Sequence, residues 1–242
     1  MKIRIKFSKG GSMKFIGHLD TMRYFQKAMR RADIDIAYST GFSPHQIMSF
    51  AAPLGVGITS EGEYLDIEVH STRSTEASLS ALNAAMVEGF TVKDYRRLKD
   101  DSKTAMSIVS CADYTLTFRE GYACPLSPEA LREGLHAFYE VPAEIPVIKK
   151  TKKSEKTIDL KQLLYDFQVL EDEGDEVHPK FYLKLSTGSL DNLKPEFLME
   201  HFYRFLGLDL KDFTFQVHRL DVYTGDKRNG FLSLNDMGTV IV

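Results

Sequence analysis

Cysteine is nearly absent: Cys111 and Cys124 are the two in 242 residues. So few, and so far apart, they exclude a disulfide scaffold and lack the close CxxC spacing of a zinc or redox pair. No CxxxCxxC run exists from which an iron–sulfur cluster could hang. Long apolar runs are missing as well; none approaches the ~18 residues that cross a bilayer. The start, Met1-Lys2-Ile3-Arg4, alternates charge with apolar residues instead of building an apolar core. A soluble, cytoplasmic protein without membrane association is expected. There is no GxxxxGK[ST] phosphate loop, and Gly55-Val56-Gly57 lacks the further glycine and acidic partner of a dinucleotide fingerprint.

What is present is ample apolar material, 43% of the chain, over a length that fits one large domain or two of roughly 100 to 120 residues. The formal net charge of -3 excludes attraction to nucleic acid by bulk charge, but it is unevenly spread. Before Glu61 stand Lys2, Arg4, Lys6, Lys9, Lys14, Arg23, Lys27, Arg30 and Arg31, opposed only by Asp20, Asp33 and Asp35. The molecule is electrically polarised.

Ile3, Ile5 and Phe7 alternate with Lys2, Arg4 and Lys6, the period of a strand with one buried and one basic face. From Leu19 to Ala32 a helix is expected, with Met22, Phe25, Met29 and Ala32 at core spacing and Asp20 in its first turn. Gln46–Phe50 and Tyr64–His70 read as strands, the latter with Asp66 and Glu68 facing outward to pair with Arg4 and Lys6. Ser74 and Thr75 cap a helix ended by Gly89, and Phe90–Leu98 returns as a strand. This order is the split βαβ, or ferredoxin-like, arrangement. Its uncovered sheet face is open to a second domain.

Lys99-Asp100-Asp101-Ser102-Lys103 marks the expected boundary. Beyond it come a strand around Tyr114–Phe118, a helix opened by Ser127-Pro128, strands at Ile145–Lys150 and Thr157–Leu160, an ambiguous Lys161–Leu170, a strand at Val177–Leu185, a helix from Pro195 to Gly207 and a strand at Phe213–Val222. The fold expectation is therefore α+β: tandem ferredoxin-like domains with antiparallel sheets. Residues 1–100 form the first, and residues 101–242 form the second, with an extra element and a C-terminal tail.

The stretch Ser39-Thr40-Gly41-Phe42-Ser43-Pro44-His45 is a constrained loop: Gly41 permits positive φ, and Pro44 fixes its own φ and restricts Ser43. His45 sits where the chain leaves it. With His18 and Asp20 it offers imidazoles and a carboxylate for acid–base work if the two segments meet, and Glu61 and Glu63 follow nearby. Arg23, Lys27, Arg30 and Arg31 recur at helical spacing as a basic stripe suited to phosphate, although a solvated face has the same pattern. Lys152 and Lys153 lie in a lysine-rich turn that suits backbone contact. Phe42, Phe50 and Tyr64 are candidates for base stacking, against core packing. No metal ligand set is proposed.

At Arg4-Ile5-Lys6-Phe7-Ser8-Lys9-Gly10-Gly11, Phe15-Ile16-Gly17-His18-Leu19-Asp20, Gly41-Phe42-Ser43-Pro44-His45 and Pro53-Leu54-Gly55-Val56-Gly57, with Lys156-Thr157-Ile158-Asp159-Leu160 further on, the chain resembles the radical-SAM-linked protein family. That is a bacterial domain of unknown function encoded beside, or fused to the C-terminus of, radical SAM proteins. The resemblance implies a radical SAM protein as partner, which would supply the iron–sulfur cluster and S-adenosylmethionine, and it favours structured RNA as the substrate recognised. Two other classes stand beside it: an independent metal-free ribonuclease with His18 and His45 as acid and base, and an adaptor that binds only protein. RNA cleavage without a partner marks the first; failure to copurify with RNA marks the second.

With two distant cysteines the chain cannot supply the three thiolates of a radical SAM cluster. Anaerobic reconstitution with iron and sulfide is expected to leave it colourless; a stoichiometric cluster absorbance would overturn this.

Overall fold

The computed structural model describes residues 1–150, 155–171, 179–189 and 191–242. Lys152 and Lys153 lie outside the described residues, as do the first two positions of the strand expected at Val177–Leu185. The protein is α+β, with strands that pair mostly antiparallel and six α-helices among the described residues. It divides into two compact units: Met1–Cys111 with Arg219–Val242, and Ala112–His218.

In the first unit the chain runs β1 (Lys2–Lys9), α1 (His18–Arg31), β2 (Met48–Phe50), β3 (Thr59–Glu68), α2 (Thr75–Ala85) and β4 (Phe90–Arg97). β1 lies between β4 and β3, antiparallel to both, and β2 pairs with β3. The register follows from burial. Ile3 opposes Ile67 and Ile5 opposes Leu65, so the apolar parity of each strand falls on one face, where Phe25 and Met29 of α1 and Leu82 of α2 complete the core. Ser74 caps α2 by accepting from the Ala77 amide, as its position suggests.

On the other face of this sheet the expected Arg4–Asp66 pair is formed, while the partner of Lys6 and the burial of the face differ from expectation. Arg4 is buried, not part of a basic surface, because its guanidinium makes a two-pronged pair with Asp66 (2.8 and 2.9 Å) and donates to the Leu234 carbonyl. Lys6 reaches Asp221 at 3.0 Å, not Asp66 or Glu68. The C-terminal segment covers this face. After α3 (Ala105–Ile108), β5 (Cys111–Phe118) leads into the second unit; the chain returns along β10 (Phe215–Asp226), whose residues from Arg219 belong to the first unit, and turns into β11 (Gly230–Ser233). A 3-10 turn at Leu234–Met237 then buries Leu234, Asn235 donates to Asp94, and Thr239 bridges Arg97. β10 approaches β3 so closely that a Cβ on Gly62 would come 2.5 Å from the Leu220 carbonyl oxygen.

The contacts thus divide the chain at 111 and 219, not after residue 100. Residues 101–111 stay with the first unit because the Ala105 amide donates to Asp66, and the tail does so because it caps Arg4.

The second unit contains most of β5, α4 (Pro128–Leu135), a paired hairpin of β6 (Pro146–Lys150) and β7 (Glu155–Asp159), α5 (Leu160–Leu163), β8 (Leu164–Glu171), β9 (Pro179–Ser186), α6 (Pro195–Phe205) and the start of β10. Its strand neighbours run β10-β5-β9-β8. The stretch left ambiguous, Lys161–Leu170, is a short helical turn followed by a strand. The core is aromatic: Phe167, Phe181, Phe202 and Phe215 meet with ring centroids between 5.1 and 6.4 Å.

Breaking the pair beneath the tail isolates a buried charge. Asp66→Ala is expected to cost about 3–5 kcal/mol in urea unfolding, because Arg4 is 2% exposed and has no other carboxylate bonded to it. A loss below about 1 kcal/mol, the worth of an exposed pair, would contradict this.

Candidate functional site

Two surfaces of the first unit gather the residues singled out by sequence. The first is the constrained loop. Gly41 has φ +115°, a conformation that side-chain-bearing residues avoid. The loop closes on itself: the Ser39 amide donates to the His45 carbonyl at 2.8 Å, the His45 amide to Ser39 Oγ at 3.1 Å, and Ser39 Oγ lies 2.8 Å from His45 Nδ1. His45 is therefore the loop's internal clasp. The tip it holds out carries Phe42, fully exposed.

Immediately after the loop, Gln46 Nε2 donates to the Gln26 carbonyl of α1, so the loop stands against the helix that bears the basic stripe. Arg23, Lys27 and Arg30 are exposed on that helix. Arg23 has an exposed, 3.4 Å contact with Asp20, worth little against solvent. Arg31 is committed elsewhere, donating to the Ala85 carbonyl and lying over Tyr24. Phe50 and Tyr64 are buried in the unit and unavailable for stacking.

The second surface is a narrow cleft of about 10 Å³ lined by Phe7, Lys9, His18, Thr21, Phe50, Ala52, Pro53, Leu54 and Glu63. Its polar floor arises from strand parity. Glu63 lies on the same parity of β3 as Leu65 and Ile67, and Lys9 on the same parity of β1 as Ile5 and Phe7. Both charges consequently face inward, and both are buried. Glu63 is satisfied by Arg219, whose Nε and Nη2 donate at 2.8 and 2.7 Å and whose Nη2 also reaches the Ala52 carbonyl. Lys9 donates to the Ile16 carbonyl at 2.8 Å, which fixes the chain just before α1 begins. Burial pushes the Lys9 ammonium below its ordinary value, Glu63 opposes that shift, and Arg219 adds to it.

His18 opens α1 and presents its ring edge-on to Phe50, centroids 5.1 Å apart. Burial lowers its pKa first, and the charge on Lys9 lowers it further against the pull of Glu63. Burial, and Lys9 after it, favour the neutral imidazole.

His18 and Asp20 stand at the start of α1, but Asp20 is exposed toward Arg23 and does not line the cleft. Nor does His45. Its neighbour Gln46 meets the helix at residue 26, eight residues or roughly 12 Å along the axis from His18. The expected shared pocket is not formed. Lys9 and Arg219 were not foreseen, and Glu63 was foreseen only as a loop carboxylate. The signal that could have found Lys9 and Glu63 is a charge at core parity at the end of each of two apolar strands.

The depressed pKa gives His18 a defined pH signature. The unfolded chain binds more protons than the folded chain between the lowered folded value and 6.5, so stability rises with pH across that window. His18→Gln is expected to flatten this part of the stability–pH curve, and the His18 imidazole to titrate below 6.5 by NMR. A midpoint at or above 6.5 would contradict the burial argument.

No curated protein matches the chain. Among solved structures, a chain in the crystal structure of a Cbf5–Nop10–Gar1 complex is similar at 12% identity and a TM-score of 0.48. The likeness covers 91% of this chain and 48% of that one, so this chain spans about half the length of that protein. The family model described as an uncharacterized protein conserved in bacteria, DUF2344, matches residues 2–195, and the chain belongs to that family.

Proposed function

We propose that this protein recognises structured RNA on behalf of a radical SAM enzyme, which carries the cluster and S-adenosylmethionine while this chain holds the substrate. The observation that carries the reading is the pairing of an exposed Arg23, Lys27, Arg30 stripe with a self-clasped loop that holds Phe42 wholly in solvent. Cations spaced along a helix suit a phosphate backbone, and an exposed aromatic ring suits an unstacked base from a loop or bulge. Such a surface binds through backbone charge and stacking, with little reading of base edges. The partner belongs to the same reading and rests on the four N-terminal stretches that resemble radical-SAM-linked proteins.

The strand neighbours support a matching reading of the fold. Each unit has the order expected of a split βαβ sheet, β4-β1-β3-β2 in the first and β10-β5-β9-β8 in the second, with the β6–β7 hairpin as the extra element. We infer tandem ferredoxin-like units on that basis. An independent ribonuclease using His18 and His45 draws no support from the geometry, since the cleft that contains one excludes the other.

Binding of a hairpin RNA with an unpaired loop, followed against salt, tests the reading. Arg23→Glu with Lys27→Glu is expected to weaken binding and to reduce the log–log salt slope by about 1.4, two phosphate contacts at ~0.7 each. Phe42→Ala is expected to cost about 1–3 kcal/mol of affinity with the slope unchanged. Equal affinity of all three proteins would assign the stripe to a solvated helix face.

A further inference from the structure

The cleft at the start of α1 has a composition that RNA recognition by the stripe and loop leaves unused. The charged side chains that line it are one cation, Lys9, and one anion, Glu63, and Arg219 pairs with Glu63 from outside the lining. Arg219 and Glu63 satisfy one another in a two-pronged pair, so the ammonium of Lys9 is the charge left without a carboxylate bonded to it. One of its three protons goes to the Ile16 carbonyl, and it makes no other hydrogen bond among the described residues. Lys9 is nonetheless only 2% exposed, and a buried cation with unused donors needs an acceptor.

The neighbouring nitrogen-bearing side chain on the wall is His18. The His18 ring nitrogens have no hydrogen-bond partner among the described residues, and the ring lines the same space. Phe7, Phe50, Pro53 and Leu54 form apolar walls around this set, which strengthens charge-assisted hydrogen bonds at the floor. The free space at the bottom admits about one water-sized sphere, the size of a single oxygen atom.

We propose that this cleft is an oxyanion subsite: it takes one terminal oxygen of a phosphate or carboxylate group between the Lys9 ammonium and the His18 imidazole. It stands apart from the RNA reading, because neither Arg23, Lys27 nor Phe42 lines it.

The test is a titration of the full chain with inorganic phosphate and, separately, with acetate, followed by the backbone amide shifts of His18, Leu19 and Asp20 and by the His18 imidazole. Saturable shifts with at least one of the two anions are expected, together with a rise in the His18 pKa on binding, because an anion favours the imidazolium. Whichever anion binds more tightly identifies the group the subsite prefers. Lys9→Met is expected to weaken that binding at least about tenfold, the loss of a charge-assisted hydrogen bond. Should Lys9→Met fail to fold, His18→Gln takes its place, with weakened binding and unaltered amide dispersion elsewhere as the supporting result. Arg23→Glu with Lys27→Glu is expected to leave phosphate binding within about twofold, which separates this subsite from the RNA surface. Absence of saturable shifts with both anions, or undiminished binding in folded Lys9→Met or His18→Gln protein, would overturn the proposal.

Discussion

The paired Glu63 and Arg219 form the constraint on which the first unit's inner face depends. Glu63 stands on the parity of β3 that is otherwise reserved for core residues, and Arg219 comes from a strand 156 residues later. Removing one member of a buried pair leaves an uncompensated charge, a cost of about 3–5 kcal/mol, so the pair holds the returning chain to β3 as a condition of stability. Arg219 also grips the Ala52 carbonyl, which positions the Ala52–Leu54 segment as one wall of the cleft. Because Glu63 is already neutralised, Lys9 beside it acts as a net positive charge. Burial first, and that charge second, favour the neutral form of His18.

A second buried pair, Arg4 with Asp66, does corresponding work on the opposite face, where the tail closes over it. The two pairs convert what looks like a basic N-terminal strand into structure. Of the cations that precede Glu61, those that remain exposed lie on α1, and the candidate RNA surface is placed there. Within α1 the burden divides again: Arg31 is spent on the end of α2, and Arg23, Lys27 and Arg30 remain toward solvent.

Local features were legible because their causes are local. The alternation in β1, the i, i+4, i+7 stripe, the Ser74 cap and the positive φ of Gly41 each need only a few neighbouring residues to predict. The failures are long-range. The pairing of Arg4 with Asp66 was legible from strand alternation, but nothing near Arg4 announces that residues 230 positions later will cover it. His18 and His45 read as partners because both flank turns, but Gln46 docks two helical turns away from His18. Lys9 read as turn punctuation beside Gly10 and Gly11, although it continues the buried parity of Ile3, Ile5 and Phe7. The boundary near residue 100 failed because a polar stretch does not report that the tail rejoins the first unit.

The central claim is electrostatic: Lys9 is a buried ammonium whose nearest carboxylate is already neutralised. The most direct test is the titration of Lys9 itself, by the chemical shift of its labelled Cε carbon in the folded protein. The account predicts a midpoint below the ordinary lysine value of 10.5, since burial outweighs the opposing pull of Glu63. A midpoint at or above 10.5 would mean that Glu63 answers Lys9 rather than Arg219, and would contradict the account.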